Sequence, residues 1–133
     1  MPFQFLNSKG KPVEPPQLAA GARIADTHCH LSMLSDKSSA IAHAAACGVS
    51  FLVNMTDPVE DAAEAYAHID EWMEQAQSLL DACAREGSLP EGISVPEYRM
   101  AVGVHPHNAK DFTPEVEELL ERCLEDPRTV ALG

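Results

Sequence analysis

Two histidine pairs offer the chemistry in this sequence. The first stands in Asp26-Thr27-His28-Cys29-His30, directly after the apolar Ile24-Ala25. Read as the carboxyl end of a strand, this run points alternate side chains to opposite faces, so His28 and His30 project together. Two imidazoles so placed can chelate one divalent cation through neutral nitrogens. Asp26 has the same parity one step deeper, where it could orient an imidazole or bind weakly. Cys29 points to the other side and is left out of the site. The second pair is Gly103-Val104-His105-Pro106-His107, ending a later strand. In parallel α/β proteins active sites form at the carboxyl ends of strands. His105 is therefore placed at the rim of the same site, as a catalytic residue in proton transfer or as a contact to an anionic substrate oxygen. His107 is a second substrate contact, and Pro106 stiffens the turn between them.

Other polar residues have bland accounts. Asn54-Met55-Thr56-Asp57-Pro58 is a third strand end, but a helix cap explains Asp57, and neither it nor Asn54 is assigned to the chemistry. His43 and His68 fall on helices and read as surface or core-edge residues. GxGxxG, P-loop, HExxH and nucleophile-elbow motifs are missing from the sequence.

The elements that must position these residues follow from pattern. Residues 1–21 contain LNSKGKPVEPPQLAAG and read as an extended leader lying over the domain. Residues 38–47 are Ala-rich and helical, capped by Ser38 or Ser39 and followed by Gly48. VSFLVNM (49–55) is a buried strand. Asp57, Pro58 and Glu60 form a capping-box start for the next helix. Its apolar stripe runs through Ala62, Ala65, Tyr66, Ile69, Trp72, Met73, Ala76, Leu79, Leu80 and Cys83, and Gly87 ends it. After a loop at 87–97, residues 98–104 form a strand. Thr113-Pro114 opens a helix with Val116, Leu119, Leu120, Cys123 and Leu124 inward, and Asp126-Pro127 closes it. Residues 129–133 are a last strand. The order β-α-β-α-β-α-β predicts an α/β fold with parallel strands and right-handed crossovers.

Composition narrows the function classes. The 133 residues carry 9 Lys+Arg against 21 Asp+Glu, a formal charge of −12, which is unsuited to a general basic face for nucleic acid. The acids concentrate at 57–86 and 111–128, on helices, and read as solvated outer faces. Cys29, Cys47, Cys83 and Cys123 contain no CxxC pair, so a zinc ribbon is not indicated, and a reducing, cytoplasmic compartment is expected. The N-terminus lacks a basic region followed by an apolar stretch, so no signal peptide is read. No apolar run reaches the roughly 18 residues that span a bilayer, and no membrane partner is expected. The length excludes a complete (β/α)₈ barrel, which needs about 200 residues or more.

IADTHCHL (24–31), AVGVHPHNA (101–109) and VALG (130–133), in that order, resemble the TatD family of metal-dependent hydrolases, within the amidohydrolase-like barrels. The resemblance covers about residues 22–133. It implies a TIM-barrel deoxyribonuclease or 3′–5′ exonuclease using divalent metal ions (Mg, Mn or Zn) on DNA or other nucleic-acid ends. Some relatives are described as deacylases of mischarged tRNA. His28 and His30 match the family's first-strand metal ligands, and His105 its third-strand active-site histidine. The family pattern continues after A-L-G with a glutamate that bridges metals, and with later histidines and an aspartate that this sequence, ending at Gly133, does not include. The resemblance therefore implies the first half of a barrel, truncated at the fourth strand, over residues 22–133, and a chain inactive by itself. The alternatives are metal-dependent hydrolysis of another ester or amide, and a non-catalytic half-barrel that binds a partner or self-associates.

Overall fold

A computed structural model describes residues 3–15 and 17–133. Residues 1, 2 and 16 of the leader segment lie outside the described residues. The leader contains a small antiparallel hairpin, β1 (Phe5–Leu6) and β2 (Pro12–Val13), in register Phe5↔Val13. Phe3 stacks on the His43 ring at 4.1 Å and Phe5 meets its edge at 4.8 Å. The ring nitrogens of His43 lie 2.7 Å from the Ser39 carbonyl and 2.6 Å from that of Gln4, so this histidine anchors the leader and stays away from the site.

The main sheet has strand order β3-β4-β5-β6, all parallel, with β3 Ile24–Cys29, β4 Val49–Thr56, β5 Glu97–Val102 and β6 Thr129–Leu132. Helices α1 (Lys37–Ala46), α2 (Ala62–Arg85) and α3 (Pro114–Glu125) make the successive crossovers. Parallel strands taken in chain order bring all four carboxyl ends to one edge, as the alternating pattern predicts. Short 3₁₀ turns at Leu31–Met33 and Pro106–Asp111 follow the two histidine strands.

The core lies between sheet and helices. Ile41, Ile69, Leu80 and Met100 are fully buried, together with Ala65 and Ala76 of the α2 stripe. A second cluster joins Ala62, Val102 and Cys123. The alanines let α1 and α2 approach closely, and the large residues fill the space against β4 and β5. Trp72 and Met73 belong to this core, as their helical spacing predicts. The edge strands β3 and β6 are exposed along most of their length, including Ile24, Val130 and Leu132.

Several boundaries differ from the sequence expectation for identifiable reasons. Asp36, not Ser38 or Ser39, caps α1, accepting from the Ser39 N–H at 2.9 Å. Ser38 Oγ is engaged with Gln75 of α2 at 2.7 Å. Gly48 ends the turn at φ +96, where a Cβ would also sit 2.6 Å from Leu18 Cδ1. Helix α2 starts at Ala62 rather than after Asp57. The Asp57 carbonyl accepts from Glu60, Asp61 and Ala62, closing a tight turn before the helix begins. Strand β5 stops at Val102, because Gly103 turns against the end of the next strand. A Cβ there would lie 1.8 Å from the Gly133 carbonyl oxygen. On α3 only Cys123 is buried, and Leu124, expected inward, is exposed.

At the opposite edge of the sheet, Arg128 ties three elements together. Its guanidinium meets the Asp126 carboxylate at 2.8 Å, the Tyr66 carbonyl at 3.0 Å and Asp70 at 3.3 Å, while Tyr98 also donates to Asp70. The Arg128 hydrogen bonds hold the Asp126 carboxyl below its ordinary range. With side chains 26% and 22% exposed, Arg128 and Asp126 are shielded enough for this pair to matter. Arg128→Ala should cost about 1.5–3 kcal/mol near neutral pH, as expected for hydrogen bonds to a charged group. Because Asp126 is depressed in the folded state, its contribution is full above the ordinary carboxylate value of about 3.9 and is lost as pH falls through the lower folded value. Urea unfolding across an acid series should therefore show a flatter profile for the variant, and equal stability of variant and wild type at neutral pH would overturn the assignment.

Candidate active site

A cavity of about 510 Å³ opens at the carboxyl ends of the sheet strands, and both histidine pairs line it. His28 and His30 are exposed, with rings at 64° and centroids 5.1 Å apart. Their Nε2 atoms face each other at 3.3 Å. The β3–β4 register shifts between Asp26 and Cys29, yet the two imidazoles still converge. Two contacts fix this turn. Asp26 Oδ1 accepts the His28 main-chain N–H at 3.1 Å, so the carboxylate steadies the strand end through the backbone rather than through a ring. Asn54 Oδ1 accepts the Leu31 N–H at 2.9 Å, just after His30.

Asn54 is fully buried, and its Nδ2 has no hydrogen-bond partner. Sequence reasoning assigned it no part in the site; its signal was an amide at the carboxyl end of an apolar strand. Cys29 turns to the other side, as alternation predicts. Its Sγ lies 3.4 Å from the Val53 carbonyl, and burial, aided by the Asp26 charge, pushes the thiol up to about 11. A protonated thiol is neither a good nucleophile nor a good metal ligand.

The second pair is held differently. His105 caps the Pro106–Asp111 turn, and its Nδ1 accepts the His107 N–H at 3.2 Å. The two rings stand 4.7 Å apart. The His105 main-chain N–H donates to Asp57 Oδ2 at 2.8 Å. Asn108 Nδ2 bridges Asp57 Oδ2 at 2.9 Å and Glu60 Oε1 at 2.7 Å. Asp57 is thus more than the local cap expected of it: one oxygen serves the Val59 N–H at 2.7 Å, and the other holds the His105 loop.

Acid and imidazole groups share the cavity. Asp57, Glu60 and Asp61 line it beside the histidines. Burial raises the Asp61 carboxyl above its ordinary value; a hydrogen bond to the Asp57 main chain opposes this, and the negative neighbours Glu60 and Asp57 add to it. Among the described residues, no group of three or more His, Cys, Asp or Glu side chains is arranged to hold a metal ion. The closest approach of two ring nitrogens in the cavity is that of His28 and His30.

Fold and site together define an α/β protein whose parallel strands deliver a histidine-lined cavity at their carboxyl edge. A family model described as TatD related DNase matches residues 25–133, and the chain belongs to that family. This places it among metal-dependent hydrolases and DNases. No curated protein and no solved structure matches the chain. Among the described residues no helix is long and apolar enough to cross a membrane.

Proposed function

We propose that this chain supplies the first half of a hydrolytic (β/α)₈ barrel that cleaves phosphodiesters at nucleic-acid ends, and that His28 and His30 hold one of its divalent metal ions. The observation that carries this reading is the 3.3 Å separation of the two Nε2 atoms. Two nitrogens each about 2.0–2.1 Å from one ion, at a tetrahedral angle, stand about 3.3–3.4 Å apart. The separation of the pair therefore matches that of two nitrogens sharing one ion. Mg, Mn or Zn there would supply an activated water and positive charge for a phosphoryl oxygen. His105 offers a ring donor to the phosphoryl oxygen where negative charge develops. His107 lies at the same rim and contacts the substrate. A charge of −12 suits a short or single-stranded end better than a long duplex. Four free cysteines favour a reducing compartment, and we place the protein in the cytoplasm.

The test is cleavage of a 3′-labelled single-stranded oligonucleotide in Mg, Mn or Zn. The 133-residue chain alone should be inactive, whereas a longer chain supplying carboxylate ligands beyond Gly133 should cleave. Strong metal-dependent cleavage by the 133-residue chain would overturn the half-site reading, and no cleavage by either would overturn the nuclease reading. Both edges of the sheet expose apolar strand residues, which favours one further reading: two copies pairing β6 against β3 to close an eight-stranded barrel. Light scattering of the purified chain separates the two, since that reading requires a dimer.

A further inference from the structure

The His105 loop is tied down by a residue that its own turn does not require. A local cap uses one carboxylate oxygen, and Asp57 Oδ1 does that work at the Val59 N–H. Oδ2 instead crosses to a loop 48 residues away, accepting from the His105 N–H at 2.8 Å and from Asn108 Nδ2 at 2.9 Å. Asp57 is only 7% exposed, so its carboxylate meets these donors in a partly buried setting. Asp61 Oδ1 in turn accepts the Asp57 N–H at 2.8 Å and holds the main chain of Asp57 in place.

The held loop decides which His105 nitrogen carries the proton. The His107 main-chain N–H can only donate, so Nδ1 must accept from it, and the ring proton sits on Nε2. Nε2–H is then the one polar ring atom left for whatever occupies the cavity. It acts as a donor, with no lone pair to offer a metal or to take a proton.

We propose that Asp57 and Asn108 are positioning residues that lock His105 in its Nε2–H tautomer, as a hydrogen-bond donor to an anionic substrate oxygen. The donor role rests on the hydrolase reading above; the locked tautomer does not. The tautomer is generally set by the bond the other ring nitrogen makes, and here that bond depends on the Asp57 bridge for its geometry.

The test is ring ¹⁵N correlation spectroscopy of His105 in the full 133-residue chain without metal or substrate. It is run at pH 8, above the ordinary imidazole range of about 6.5. Wild type should show one protonated Nε2 and one unprotonated Nδ1. Asp57→Ala should lose this pattern to averaged tautomers while far-UV circular dichroism stays unchanged. Asp57→Asn should restore only part of it: its amide oxygen can still accept the His105 N–H, but the amide nitrogen then faces the Val59 N–H, donor against donor. If Asp57→Ala does not fold, Asn108→Ala decides, with a partial shift toward averaging expected. An Nδ1–H or mixed tautomer in wild type, or a pattern indifferent to Asp57→Ala (or to Asn108→Ala where that decides), would overturn the proposal. Failure of the oligonucleotide assay with the tautomer intact would overturn only the nuclease reading.

Discussion

Replacing both His28 and His30 with alanine should weaken divalent metal binding by more than about 100-fold, since losing even an outer partner of a metal ligand costs about 10–100-fold. The two Nε2 atoms at 3.3 Å are the convergent donors in the cavity, and no third His, Cys, Asp or Glu completes a cluster with them among the described residues. Both side chains are exposed, so the fold should survive; surface changes usually stay within about 0.5 kcal/mol. Calorimetric titration with Mn or Zn, with elemental analysis of the purified chains, gives the answer. Hydrolysis, in whichever form of the protein shows it, should vanish with the metal. Unchanged metal content in the double variant would remove His28 and His30 from the site.

His105→Ala should lower that hydrolytic rate by about 10²–10³-fold, the usual loss when one donor to a developing oxyanion is removed. Metal affinity should stay within a few-fold of wild type, because Nδ1 of His105 is occupied by the His107 N–H and its Nε2 is a donor. The contrast with His107→Ala is informative. The bond from His107 to His105 comes from its main chain, which alanine keeps, so the rate loss there should be much smaller. Single-turnover kinetics on the three forms, with metal titration in parallel, separate a donor from a ligand. Equal losses at 105 and 107, or loss of metal with His105→Ala, would contradict the role given to His105.

Both predictions rest on residues recognisable in the sequence. HxH at a strand end is legible because alternation along a strand is a property of the local backbone, whatever the strand later packs against. The α2 stripe is legible for the same reason: a period of 3.6 over 24 residues points to a single inner face, and Ile69, Trp72, Met73 and Leu80 lie on it. Where local options compete, sequence is a weaker guide. Ser38 and Ser39 both have the chemistry to begin α1, but Asp36 caps it, while Ser38 pairs with Gln75, 37 residues on. Leu124 has the right spacing to face inward, but the end of α3 is not covered, and it remains 39% exposed.

The sequence by itself determined the parallel β/α order, the helix stripes, the convergence of His28 with His30 and the family, because each depends on short-range periodicity or on short motifs in a fixed order. Only the tertiary structure decided how the His105 loop is held. Asp57 has two carboxylate oxygens, and a sequence shows only the neighbours within reach of one. The partners of the other, His105 and Asn108, come close only when β4 and β5 pair in register from Phe51↔Glu97 to Thr56↔Val102. Hydrogen bonds between strand ends depend on that register, which pairs residues 46 apart in the chain, beyond the reach of a cap or turn motif.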